Sequence, residues 1–108
     1  MRRTLSAAVG ILASACLPAA ADDVGYNPNH AFVPDAATAI AIARAVLIPI
    51  YGAKAMQAEE PLTAQRHGDI WVVEGTLPCP KGASCVGGTA ELQLSAKDGR
   101  ILHVIHYQ

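Results

Sequence analysis

The chain has 108 residues, with eight Lys and Arg against nine Asp and Glu. No basic run interrupts that balance, which excludes a nucleic-acid binder working through a basic stripe. The length allows one small domain with a modest core.

The first segment, MRRTLSAAVGILASACLPAAADD, reads as a secretory signal peptide over residues 1–21. Arg2 and Arg3 supply the positive start. Ala7 to Leu17 is apolar but too short to span a bilayer as a mature helix. Ala19, Ala20 and Ala21 give the small-residue cleavage pattern, and the expected product is periplasmic or secreted. A second reading attaches lipid at Cys16, after Ala13-Ser14-Ala15, and would tether the protein to a membrane. Residues 22–108 carry six Lys and Arg and nine Asp and Glu, a net charge of −3.

Residues 22–34, DDVGYNPNHAFVP, hold two prolines and two asparagines and show no periodicity. They are expected to form a flexible arm whose end, at Phe32 and Val33, touches the domain. Residues 35–108 form that domain. Asp35 is placed to cap a helix after Pro34. Ile40, Ala43, Leu47 and Ile50 fall on one helical stripe, joined by Ala36, Ala39 and Val46. Pro49 is expected to kink or end the helix, and Gly52 to stop it. A second helical turn spans 53–59, before Pro61.

From residue 62 the apolar period changes to two. Strands are expected at 62–66, 70–77, 89–95 and 100–107. His67-Gly68-Asp69 and Lys97-Asp98-Gly99 supply turns, and a loop with two cysteines joins the middle pair. Short connections make the four strands an antiparallel meander. The helix stripe must cover one face of that sheet, which makes the fold class α+β. On the second strand Ile70, Val72 and Glu74 share one face; Trp71, Val73 and Gly75 share the other. Trp71, in mid-strand, is expected in the core.

Several stretches together resemble a known family. They are Ala39-Ile40 and Ala43 before Val46-Leu47-Ile48-Pro49-Ile50-Tyr51-Gly52, then Trp71 through Pro78. Gly87-Gly88 and Lys97-Asp98-Gly99-Arg100-Ile101 complete the set. These resemble the short members of the bacterial immunity-protein family with a nuclear-transport-factor-2-like fold, over about residues 35–108. The resemblance implies a cone-like sheet packed on helices. It also implies a non-catalytic protein that neutralises a toxin by binding it, with no cofactor. A looser resemblance, to PepSY-type domains, also implies a secreted binding module.

The residues that bear chemistry give little support to catalysis. His30, His67, His103 and His106 are scattered, and His103 and His106 point to opposite faces of a regular strand. Five residues separate Cys79 from Cys85, wider than the gap of about two to four in zinc knuckles. The pair also lies between two strands rather than at a helix start, where redox cysteines sit. No metal is expected. In an exported chain these two cysteines are expected to form a disulfide, contributing roughly 2 kcal/mol. If the Ile70/Val72 face is the core, Glu74 is half-buried. With His103 it then lines a cone pocket, and the chain becomes a small-ligand binder or small enzyme. Lys81 at the loop tip, Tyr51 and Tyr107 are the candidate interface residues.

Overall fold

The computed structural model describes residues 23–108. The expected signal segment, its cleavage site and Cys16 lie outside the described residues. Among the described residues no helix is long and apolar enough to cross a membrane.

The first helix, α1, spans Ala36–Tyr51. Its start follows from Asp35, whose carboxylate accepts the Thr38 N–H at 2.8 Å and the Thr38 hydroxyl at 2.7 Å. Those two bonds, the hydroxyl first, hold the Asp35 carboxyl below its ordinary value. Pro49 lies inside the helix and does not end it. A proline so near the C-terminus removes a single intrahelical bond. The stop comes at Gly52, with φ 96°.

Ala39, Ala43 and Leu47 are fully buried. Ile40 and Val46 are half-buried against the same core. Ile50, expected on the stripe, is 52% exposed. Its azimuth is within the stripe at about 100° per residue, yet it stays outside the core cluster, while Ile48 and Tyr51 of the same turn pack against it.

The second helix, α2, spans Ala53–Ala58 and buries Met56. Four strands follow: β1 (Thr63–His67), β2 (Ile70–Glu74), β3 (Ala90–Ser95) and β4 (Ile101–His106). They lie in the order β1-β2-β3-β4, each antiparallel to the next. The meander and the two-helix layer match the α+β expectation. β2 stops three residues earlier than its apolar run suggested. Gly75 still donates to the Ala90 carbonyl at 3.0 Å, but the Thr76 N–H turns away to the Glu59 carbonyl at 2.7 Å.

The register settles which face of β2 is inside. Trp71 pairs with Leu94, and Val73 with Leu92. All four are buried, beneath α1. Ile70 and Val72 are half-buried on the opposite face, and Glu74 there is exposed. The alternative with an Ile70/Val72 core is therefore overturned. Both faces of this strand are apolar, so its own pattern could not choose between them. α1 packs over β1, β2 and β3, and its last residue, Tyr51, reaches His106 of β4.

The arm ends in a docked segment. Phe32 N–H donates to Lys97 O at 2.9 Å and Val33 N–H to Ala96 O at 3.1 Å. The Trp71 indole N–H donates to Val33 O at 2.9 Å. Val33 is fully buried, whereas Phe32 is 52% exposed and stacks on Tyr26 at 4.3 Å. Val33 alone is the apolar anchor.

Candidate functional site

The most buried charge-bearing residue described is Glu59, at the C-terminal end of α2 and 6% exposed. Its Oε1 accepts the Ala90 N–H at 2.7 Å, and its Oε2 lies 2.8 Å from His106 Nε2. Its own carbonyl accepts the Thr76 N–H. One residue thus joins the end of α2 to the start of β3, the end of β4 and the chain leaving β2. His106 Nδ1 lies 2.8 Å from the Tyr107 carbonyl. That carbonyl can only accept, so Nδ1 donates, and one further proton sits between Nε2 and the Glu59 carboxyl. Tyr51 meets the His106 ring edge-on at 5.3 Å. A Cβ at Gly75 would press into the Glu59 side chain, so this close approach requires glycine. No buried side-chain polar atom among the described residues lacks a partner. Such a pair fixes three elements against each other.

The neighbouring carboxylate, Glu60, does different work. Arg44 Nε donates to its Oε1 at 2.8 Å, and the Leu62 N–H to its Oε2 at 3.1 Å. The Arg44 hydrogen bond, then the Leu62 amide, hold the Glu60 carboxyl below its ordinary value. A depressed carboxyl stabilises the fold above the pKa it has in the unfolded chain, and that contribution is lost as pH falls through its folded value. Glu60→Gln is therefore expected to lower the melting temperature at neutral pH. The gap should start to narrow only once pH falls below the ordinary glutamate value of about 4.3. Melting curves of both proteins from neutral to acid pH check this; a constant gap would count against it.

Cys79 and Cys85 form the expected disulfide, with Cα atoms 5.8 Å apart. The loop they staple leaves and re-enters the sheet beside the end of β4. Tyr107 N–H donates to Thr89 O at 3.1 Å. A Cβ at Gly88 would lie 2.5 Å from the Tyr107 carbonyl oxygen. Gly88→Ala must push backbone rather than a mobile side-chain end. The expected cost is about 1–3 kcal/mol by urea unfolding. A variant as stable as the parent would show that the strand end yields freely.

The residues singled out from sequence are placed as follows. Lys81 is exposed at the tip of the stapled loop. Tyr51 is half-buried against His106 and so belongs to the node rather than to the surface. Tyr107 is 48% exposed. Glu74 and His103 are both exposed on the sheet face opposite α1. Glu74 pairs with Glu91 and His103 with Gln93, so β3 separates them and no pocket brings them together. A cleft of about 420 Å³ lies elsewhere, between the arm and the two turns. It is lined by Tyr26, His30, Arg66, Asp69, Lys97 and Asp98, among others. Among the described residues no three His, Cys, Asp or Glu are grouped to hold a metal.

The node at Glu59 and His106 escaped the sequence reading. His106 was weighed only against His103 as a metal ligand. The available signal was parity: His106 shares a strand face with Val104, which packs toward the core. Nothing local pointed to Glu59 as its partner, because 47 residues separate them.

Two helices packed on a four-stranded antiparallel meander, with a polar node at one end, define a small α+β domain. A family model described as NTF2 fold immunity protein matches residues 38–108, and the chain belongs to that family. The match is to the first of the two resemblances. No curated protein and no solved structure matches the chain.

Proposed function

We propose that the chain is an exported, non-catalytic immunity protein that neutralises a toxin by binding it outside the cytoplasm. The observation that carries this reading is the family match, which covers nearly all of α1 and every later element of the domain. Family membership supports protein–protein binding. The Glu59–His106 pair is accounted for as a clamp between α2, β3 and β4. Export rests on the pattern of residues 1–21 and agrees with a disulfide that needs an oxidising compartment. The stapled loop suits the contact surface. It presents Lys81 and, just beyond the staple, Val86, whose side chain is 99% exposed.

The test is co-expression with the product of the adjacent gene. The chain should restore growth of a host carrying that product in its periplasm, and the two should co-purify in fixed stoichiometry. Lys81→Glu combined with Val86→Ser should weaken both effects while leaving the melting temperature unchanged. Failure to rescue or to co-purify would overturn the reading. Rescue by a form retained in the cytoplasm would overturn the export part alone.

A further inference from the structure

Three segments meet at the end of the sheet away from Glu59 and His106. The turn between β1 and β2 is tied to the turn between β3 and β4, because Ala96 N–H donates to Asp69 O at 2.7 Å. The arm joins them at Lys97, whose carbonyl accepts the Phe32 N–H. Upstream of that bond the arm folds back on itself. Asn27 accepts the Asn29 N–H on its side chain and the His30 N–H on its carbonyl, each at 2.9 Å, and Tyr26 stacks on Phe32. The cleft of about 420 Å³ lies between these pieces. Its volume falls in the range of about 300–1,000 Å³ usual for small-molecule sites. The wall that the arm contributes lies upstream of the family match, which starts at residue 38.

The lining is rich in donors that nothing engages. Two contacts hold Arg66: its Nε donates to Gly68 O at 2.8 Å, and its guanidinium lies 5.8 Å from the centre of the Trp71 ring. Its two terminal amino groups make no hydrogen bond among the described residues, and the Asp69 carboxylate stands 4.0 Å off. The Lys97 ammonium has no ion-pair partner among the described residues. The Lys97 backbone is nevertheless fixed on both sides, by the Ser95 hydroxyl and by Phe32. Asn29 and His30 add side-chain donors. On the acceptor side Asp98 is already occupied. Its Oδ1 accepts the Arg100 N–H at 3.0 Å, and its Oδ2 lies 3.8 Å from the Arg100 guanidinium. Asp69 alone is then set against two cations. In residues 22–108, with a net charge of −3, this is a local surplus of positive charge.

We propose that this cleft binds a small oxyanion, a carboxylate or a phosphate monoester, carried on an apolar or aromatic body. The free edge of the Arg66 guanidinium can donate to two oxygens of such a group at once, and Lys97 supplies a second charge from the neighbouring turn. The body lies against Tyr26, Pro28 and Ala31, the apolar lining that the arm provides. A cationic ligand would meet Arg66 and Lys97, with Asp69 alone to hold it. Because residues of the arm form one wall, the ligand and the folded form of the arm stabilise each other. Occupancy thus fastens the N-terminal segment to the sheet. The site does not depend on the toxin-binding reading and can hold or fail without it.

The test uses the full chain in its disulfide-bonded form, with benzoate and phenyl phosphate as probes. Amide chemical shifts should move saturably in the arm and in both turns, with a Kd at or below about 1 mM for at least one probe. The tighter of the two identifies the class of oxyanion. Benzamide and benzylamine keep the ring and lack the negative charge. They should bind at least about tenfold more weakly. Lys97→Ala should weaken binding about tenfold and Tyr26→Ala about threefold, both with the melting temperature of the parent. Lys54→Ala, on α2 and outside the cleft, should bind as the parent does. The absence of a saturable shift overturns the proposal. So does benzamide binding as tightly as benzoate, an unchanged Kd in Lys97→Ala, or an equal loss in Lys54→Ala. If Lys97→Ala proves unfolded, Tyr26→Ala decides in its place.

Discussion

Replacing Glu59 by Ala is expected to destabilise the domain by about 2–5 kcal/mol, the largest single effect of any polar substitution in it. The change removes three things at once. The buried Ala90 N–H loses its acceptor, His106 Nε2 loses its hydrogen-bond partner, and the space left by the side chain is not filled. An unmet buried donor costs about 1–3 kcal/mol, far more than the net worth of an ordinary hydrogen bond. Glu59→Gln keeps the shape and one acceptor oxygen. It should recover more than half of the loss. His106→Ala leaves the carboxylate buried with the Ala90 amide alone, and should cost nearly as much as Glu59→Ala. Urea unfolding of the three variants, with the disulfide intact, gives the comparison. If Glu59→Ala falls within about 0.5 kcal/mol of the parent, the node is not a structural clamp.

Leu47→Ala is expected to cost about 2–5 kcal/mol, whereas Ile50→Ala should cost less than about 0.5 kcal/mol. Both residues are aliphatic, both lie on α1, and both fall on the same azimuth by periodicity. They differ in what lies beneath them. Leu47 is fully buried in the cluster that includes Val73, Leu92 and Leu94, so its removal leaves a cavity. Ile50, beyond Pro49, is more than half in water. Similar losses for the two would mean that Ile50 is packed as Leu47 is, against its 52% exposure.

That pair also shows where reading the sequence stops working. Periodicity reports an angle around the helix axis and says nothing of which residues on that side find a partner beneath them. The strands were legible for the same reason that their limits were not. β-branched and aromatic residues identified β2, alternation identified β3, the Asp-Gly turn identified the hairpin of β3 and β4, and short connections ordered them. Apolarity then carried β2 on to Leu77, while hydrogen bonding ends it at Glu74 because Thr76 bonds to Glu59 instead. The disulfide followed from compartment and count. The Glu59–His106 contact did not, since it joins a helix end to the last strand and no local pattern encodes so distant a pair. Glu74 and His103 were the residues that sequence logic put forward. They failed because β2 is apolar on both faces and the choice of core face belongs to α1.

The hydrogen bond from Trp71 to Val33 has a consequence for observation. This is the only tryptophan in the chain, so its fluorescence reports on a single place. Its indole reaches across to the last residues of the arm, upstream of where the family match begins. The arm therefore carries its own optical signal. Emission that shifts to the red while far-ultraviolet circular dichroism stays constant would mark release of the N-terminal segment from an intact sheet. A shift that accompanies unfolding would show the two to be one cooperative unit. The natural boundary of the folded body is then set by light emitted from β2, at Val33, rather than by the point where similarity to relatives starts.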